Sequence, residues 1–319
     1  MKINIGVEIG AQFIKAGIVD KYGRLLARDK VPTKVDGSFE QIVYDASNLI
    51  LNLLEDKDYD IKSVKSIGVA SPGVPDEDNS KIMKTYILGF YNAPIKDEFK
   101  KHFNVPIFVE NDAHCAAISE SASGAAEDLD YSLTINIGTG ISGGIIIDNR
   151  LYTGQNNAGA VLGHMVIDKS GRKCSCGRTG CFETVCSAKA LIEDTKEAAL
   201  KNPDSQIMKI CNNDLSLVTE TTAYEAMTLD DQSAKEVFDR YVDNLAAALI
   251  NYTNILMPEV IILCGGITEL GENLLKPIRE KMHREVYSRE AAVPMLKCSE
   301  MGSASVLVGA GMLATYKKH

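Results

Sequence analysis

Runs of alternating apolar residues broken by glycine turns open this chain, and the same pattern begins again after residue 130. Residues 3–9 (Ile-Asn-Ile-Gly-Val-Glu-Ile) read as a strand, because side chains two apart share one face of a pleated backbone. Residues 13–19 read as its hairpin partner through the turn Gly10-Ala11-Gln12, and Asp20-Lys21-Tyr22-Gly23 leads into a third strand over 25–31. The period then lengthens: Phe39, Ile42, Val43, Ala46, Leu49, Ile50, Leu53 and Leu54 fall on one side of a helix over 38–55. A short apolar strand at 64–69 ends in Ser71-Pro72-Gly73, and another at 106–109 delivers Glu110-Asn111-Asp112 to a small-residue helix at 113–123.

The second half repeats the plan. A strand at 131–137, the turn Gly138-Thr139-Gly140 and a returning strand at 142–147 are followed by the turn Asp148-Asn149-Arg150. An amphipathic helix covers 233–256, a buried strand 260–263 runs into Cys264-Gly265-Gly266, and 303–316 reads as a helix packed on a sheet. A meander followed by alternating strand and helix, given twice, specifies an α/β chain of two similar lobes. The length of 319 residues agrees, since single cores stop growing near ~250–300 residues. The expected division is a small lobe at 1–113, closed by the C-terminal helix (303–319), and a larger lobe at 114–302. With no low-complexity linker between them, the lobes are expected to share a cleft.

The most specific chemistry lies at His164, Cys174, Cys176 and Cys181. Three thiolates and an imidazole form a closed tetrahedral set, the arrangement of structural zinc, with no position left open for catalysis. Gly171, Gly177 and Gly180 let the loop wrap one ion, and three cysteines in a polar loop are not core packing. His164 is the least certain of the four ligands, because another polar role competes for it. The other cysteines stand singly in largely apolar segments and read as small core residues. Clustering of this kind marks a reducing compartment rather than a disulfide framework.

Two glycine turns and one acid are the remaining candidates. Gly138-Thr139-Gly140 joins two strands in a form whose backbone N–H groups approach a phosphate closely, although plain hairpins use the same residues. Gly265-Gly266 follows a buried strand and either admits a nucleotide against bare backbone or simply starts a helix. Asn111-Asp112 ends a strand, where open α/β sheets bind ligands. Asp112 there is either a helix cap or a general base for a hydroxyl.

A formal net charge of -9 disfavours nucleic acid and anionic membranes as partners. No run of 18 apolar residues is present, and Met1–Gly6 lacks a signal peptide's apolar core, so a cytoplasmic protein is expected.

Together these segments resemble the ROK family of repressors, open reading frames and sugar kinases, whose kinases include bacterial glucokinases. The resemblance covers nearly the whole chain. It rests on Ile14-Lys15-Ala16-Gly17, Ser71-Pro72-Gly73, Val109-Glu110-Asn111-Asp112-Ala113, Ile137-Gly138-Thr139-Gly140-Ile141-Ser142-Gly143-Gly144 and Gly163-His164. It continues through Cys174-Ser175-Cys176-Gly177-Arg178-Thr179-Gly180-Cys181-Phe182-Glu183 and Pro258–Gly266, the cysteine stretch being its most specific mark.

The resemblance implies a two-lobed actin-like ATPase (ribonuclease H-like) fold with ATP and a hexose in the inter-lobe cleft. It implies Asp112 as general base, Asn111, Asp112, His164 and Glu183 on sugar hydroxyls, and Gly138, Thr139 and Gly140 on phosphates. Glu8, Gly10, Gln12 and Lys15 would serve the first phosphate turn with Mg2+, and Gly265 and Gly266 would lie near adenosine. The histidine would both bind zinc and approach the sugar. A homodimer or homotetramer is implied as well.

Three departures stand out. The family's first phosphate turn usually reads Asp-x-Gly-Gly-Thr, where this chain has Glu8-Ile9-Gly10-Ala11-Gln12. A sugar-binding glutamate before Gly-His is replaced by Val161, and the asparagine common before Leu-Gly-Trp is missing from Tyr86-Ile87-Leu88-Gly89-Phe90. Glucose or a related hexose, N-acetylated or epimeric, is the expected substrate. A non-catalytic sugar sensor on the same scaffold is the alternative. Family repressors carry a helix-turn-helix ahead of the first strand, and this sequence starts at that strand, so direct DNA binding is not expected.

Overall fold

The computed structural model describes residues 2–35, 37–85 and 88–317. The chain folds as two compact units, one of residues 1–134, 143–160 and 299–319 and the other of 135–142 and 161–298. Residues 114–134, 143–160 and 299–302, grouped with the second lobe in the sequence reading, therefore fall in the first unit.

In the first unit β1 (Ile3–Ile9), β2 (Phe13–Val19) and β3 (Leu25–Pro32) make the antiparallel meander. Next to β1 lies β4 (Val64–Ser71), in parallel. A small hairpin of β5 (Ile82–Thr85) and β6 (Phe90–Ala93) precedes β7 (Ile107–Asn111), which joins β4 in parallel. The sheet order is β3-β2-β1-β4-β7.

Alternation assigns the faces. Ile3, Ile5, Val7 and Ile9 of β1 are buried in one cluster with α1 (Phe39–Asp56) and with Phe99 of α2 (Ile95–Lys100). Helix α1 forms because Ser38 caps it, its hydroxyl accepting the Gln41 N–H, and because Ile42, Val43, Ala46, Leu49, Ile50 and Leu53 make one apolar stripe. On the other face lie α3 (Asp112–Ser123) and α10 (Ser305–Tyr316; helices are numbered along the chain).

Helix α10 is apolar nearly all round, as a fully buried helix must be. It nests against bare backbone. A Cβ on Gly6 would lie 1.9 Å from the Leu307 carbonyl oxygen, and one on Gly68 1.8 Å from that of Ala310. The Asn111-Asp112 pair emerges where β7 meets α3.

The second five-stranded sheet has the order β10-β9-β8-β11-β12. Its strands are β8 (Ser132–Ile137), β9 (Ile141–Ile147), β10 (Arg150–Tyr152), β11 (Val260–Cys264) and β12 (Met295–Cys298). In the antiparallel β9–β10 and parallel β11–β12 pairings it repeats the first sheet's plan, and the boundary between units runs within β8 and β9.

The helices of the second unit are α4 (Phe182–Cys186), α5 (Ala188–Lys201), α6 (Gln206–Ile210), α7 (Thr222–Met227), α8 (Gln232–Leu256) and α9 (Glu272–Glu285). Helix α8 starts at an Asp231 cap and buries Ala234, Val237, Phe238, Tyr241, Leu245 and Leu249 on one stripe. Among the described residues no helix is long and apolar enough to cross a membrane.

The strands and helices read from the sequence are present with ends moved by no more than two residues. Unread were β5, β6, β10, β12, α2, α4 to α7 and α9. Of the segment at 86–90, Tyr86 and Ile87 lie outside the described residues, as do Lys318 and His319 of the C-terminal helix range.

Candidate functional site

The sequence-predicted site residues divide between the units, with Glu8, Gly10, Gln12, Lys15, Asn111 and Asp112 on the first and the remainder on the second. Asn111 is the N-cap of α3. Its Oδ1 accepts the N–H groups of Ala113 (2.8 Å) and His114 (3.3 Å), and its Nδ2 donates to the Gly73 carbonyl at 2.9 Å. The cap role that the sequence left open for Asp112 thus belongs to Asn111 instead. Asp112 begins the helix itself, its Oδ1 accepting only its neighbour's N–H among the described residues. Burial pushes the Asp112 carboxyl above the ordinary aspartate range, against the smaller opposing pull of the Ala113 N–H.

Sequence reading missed what lies behind this pair. Glu110 is fully buried, and its Oε1 accepts the Asn111 N–H at 2.8 Å and meets His114 Nδ1 at 2.9 Å. An ionised carboxylate only accepts, which sets the proton on Nδ1. Its Oε2 faces the Lys317 ammonium at 2.5 Å, off the direction of a hydrogen bond, so that contact is an ion pair. The spacing of Glu110 and His114 at i, i+4 was a readable signal; the third partner, near the far end of the chain, had none.

The turn Gly10-Ala11-Gln12 closes tightly. The Gly10 N–H donates to Phe13 O at 3.1 Å, and Thr33 from the end of β3 holds the Gly10 carbonyl at 2.7 Å and the Gln12 carbonyl at 3.0 Å. Glu8 and Lys15 face each other across β1 and β2, and the ammonium lies 2.9 Å from both carboxylate oxygens. The carboxylate expected to face Mg2+ already has a protein cation against it.

In the second unit the cysteine loop is a small knuckle. Lys173 and Thr179 bridge its arms, the Cys174 N–H donates to Arg178 O at 2.8 Å, and the Gly177 N–H returns to Cys174 O at 3.0 Å. His164 ends a short 3-10 turn, Leu162–His164. The ligand atoms of His164, Cys174, Cys176 and Cys181 all lie within 4.8 Å of one another. Cys174 Sγ is 3.4 Å from His164 Nδ1 and Cys176 Sγ is 3.6 Å from Cys181 Sγ. Tetrahedral zinc with ordinary bond lengths needs edges of roughly 3.5–3.8 Å. Burial, then the adjacent Cys176 and Cys174, push the Cys181 thiol up to about 12. A dication relieves that crowding of sulfurs, so the donor set suits zinc in charge, and its two close pairs stand near those edges.

Glu183, in the first turn of α4, links this loop to the glycine turn. Its Oε2 accepts the Ile141 N–H at 3.1 Å, and its Oε1 lies 3.9 Å from Cys174 Sγ. The turn Gly138-Thr139-Gly140 is closed by Gly138 N–H on Gly140 O at 2.9 Å, and a Cβ on Gly140 would meet Glu183 Oε2 at 2.6 Å. Beside them a cavity of 380 Å3 is lined by Thr139, Gly140, Cys174 and Glu183, with Lys173 and Lys189 supplying positive charge.

At Gly265, φ is +115° and a Cβ would sit 1.9 Å from Ile137 O, so packing alone demands glycine there. At Gly266 a Cβ would meet Glu220 Oε1 at 1.9 Å. The turn leads into a 3-10 helix, Gly266–Leu270, as the plainer of its two readings had it. Val161 is 57% exposed, and its carbonyl accepts the His164 N–H at 3.2 Å.

Two mixed sheets of repeated order place the chain among α/β proteins of the actin-like ATPase fold family. The chain belongs to the ROK family, whose profile matches residues 4–317. It is similar to the glucokinase of Thermotoga maritima, 32% identical over 279 residues, which make 87% of this chain and 86% of that enzyme. It is also similar to the xylose repressor of Bacillus subtilis, 30% identical over 311 residues, 96% of this chain and 75% of the repressor. Among solved structures, a ROK family glucokinase from Streptomyces griseus in complex with glucose and AMPPNP superposes with a TM-score of 0.77. It is 30% identical, and the match covers 98% of each chain.

Proposed function

We propose that this chain is an ATP-dependent sugar kinase. The observation that carries the reading is Asp112, a half-buried carboxyl at the end of a sheet strand with its acidity lowered by its surroundings. A raised pKa makes a carboxylate a better acceptor of the proton that a hydroxyl loses as phosphoryl transfer proceeds. In the proposed step a sugar oxygen bonds to the γ-phosphorus, the bond from that phosphorus to the ADP oxygen breaks, and the hydroxyl proton passes to Asp112.

Asn111, His164 and Glu183 are assigned to sugar hydroxyls, and Gly138, Thr139 and Gly140 to phosphates. Gly265 and Gly266 are assigned to the adenosine. Glu8 would hold Mg2+ through its water shell, and the ion would neutralise charge between the phosphates. His164, Cys174, Cys176 and Cys181 would hold zinc as a structural ion, with Nδ1 toward the metal. The similarity to a glucokinase solved with glucose and AMPPNP supports a hexose and ATP as substrates. The loss of a glutamate at Val161 widens the choice to N-acetylated or epimeric hexoses, because fewer hydroxyls are read.

A second reading has its own support: a sugar sensor without catalysis. Lys15 occupies both oxygens of Glu8, Ala11 and Gln12 replace the usual turn residues, and a repressor is among the similar proteins. A panel of hexoses and amino sugars with ATP and Mg2+, read as ADP release, separates the two. Turnover of at least one sugar is expected. Sugar binding by calorimetry with no ADP release on any sugar replaces the kinase with the sensor.

A further inference from the structure

We infer that Lys317 is a positioning residue, which, through Glu110 and His114, holds Asn111 and Asp112 in working geometry. The inference rests on the reading of Asp112 as the base. Lys317 follows the last turn of α10, and its side chain is only 13% exposed. Its ammonium faces Glu110 Oε2, donates to the Val109 carbonyl at 3.1 Å and also reaches Asn79 Oδ1. It thus grips β7 at the two residues directly before Asn111.

Glu110 passes the constraint on. Its other oxygen holds both the Asn111 N–H and the His114 ring, so one carboxylate ties the strand end to the first turn of α3. The side chains of Glu110, His114 and Lys317 are each 13% exposed or less, which makes their geometry rigid and its loss costly. A buried carboxylate deprived of its cation must find water, and the way out is to shift the strand end. Neither Lys317 nor Glu110 needs to touch sugar or nucleotide for this. Small displacements of a general base cost much, because in-line transfer depends on reach to the hydroxyl.

The test uses the full chain with Lys317→Met, Lys317→Arg and wild type. With whichever sugar the wild type turns over, Lys317→Met lowers kcat about 10- to 100-fold while KM for ATP stays within about twofold. Lys317→Arg restores most of the rate, since it returns the cation. An unchanged kcat in the methionine variant, or an arginine variant as slow as it, overturns the inference.

Hydrogen exchange on the same proteins needs no activity. Faster exchange confined to peptides spanning residues 108–116 in Lys317→Met is expected. Exchange that rises everywhere means a merely structural residue, and exchange that does not change means no coupling; both overturn it. A wild type inactive on every sugar sinks the kinase reading, while the exchange result still decides the coupling.

Discussion

Two residues apart, Glu110 and Asp112 are both pushed up by burial, yet their carboxyls end shifted in opposite directions. For Glu110 burial is the largest single influence and pushes the carboxyl up, but the His114 hydrogen bond and the Lys317 charge together outweigh it and hold it low. Among the described residues Asp112 has no cation in contact, so burial wins and its carboxyl is raised. The consequences for stability differ in sign. Glu110 stabilises the fold above the ordinary glutamate pKa of about 4.3, and that contribution is lost as pH falls through its lowered folded value. Asp112 favours the fold only below the ordinary aspartate pKa of about 3.9, and as pH rises through its raised folded value that contribution is lost. At neutral pH an ionised Asp112 is therefore a cost. Asp112→Asn keeps an oxygen for the Ala113 N–H and removes the buried charge. Its expected outcome is a melting temperature higher by about 2–4 °C at neutral pH, with the gain vanishing in acid. ADP release should fall by about 10²–10⁴-fold. A scan of melting temperature against pH beside the coupled assay checks both. A variant no more stable than wild type, or still turning over, contradicts the account of Asp112.

At the scale of elements, legibility followed sequence distance. The meander β1 to β3, helix α1 and the strand ends carrying Asn111-Asp112 and Gly138-Thr139-Gly140 were readable because alternation, caps and turns are local. Strand β12 was not: its four residues Met295–Cys298 include Lys297, and its apolar meaning comes from pairing with β11, more than thirty residues earlier. Helices α4, α6 and α7 have five or six residues each, too few to show a period. Helix α9 was obscured by Pro277 within it. In the site, the cysteine cluster was plain from spacing alone, whereas Lys317 reaches Val109 across 208 positions and leaves no mark in either segment. The cysteine loop is also where an element-scale prediction can be made cleanly. Cys176 is exposed, so Cys176→Ser removes a sulfur without disturbing a core. Purified wild type should carry about one zinc per chain by atomic emission. The serine variant should lose most of it and melt at the temperature of chelator-treated wild type. A variant that keeps its metal, or metal-free protein that melts like wild type, removes zinc from the account of this loop.

For the whole molecule, the first unit is assembled from both ends of the chain. Its sheet is built from β1 onward, yet the face bearing Gly6, Gly17 and Gly68 is finished only by α10, some three hundred residues later. Such long-range closure is slow to form, and until it forms the sheet offers bare apolar backbone. Leu307, Val308, Met312 and Leu313 are each 5% exposed or less, and at about 1.5–3 kcal/mol apiece their burial is on the order of 10 kcal/mol. That is the size of a whole domain's net stability, about 5–15 kcal/mol. Side-chain rearrangement replaces little of it, since Gly6, Gly17 and Gly68 beneath α10 have nothing to collapse into the gap and Val19 and Ala70 are small. A chain ending at residue 304 is therefore expected to lose cooperative thermal unfolding and to collect in the insoluble fraction. Lys317→Met in the full chain, which removes the ammonium but keeps the helix, should stay soluble and melt cooperatively. Circular dichroism and sedimentation of the two proteins side by side make the comparison. If the truncated chain melts cooperatively near the wild-type temperature, α10 is an appendage and the glycine face of the sheet must be covered in another way.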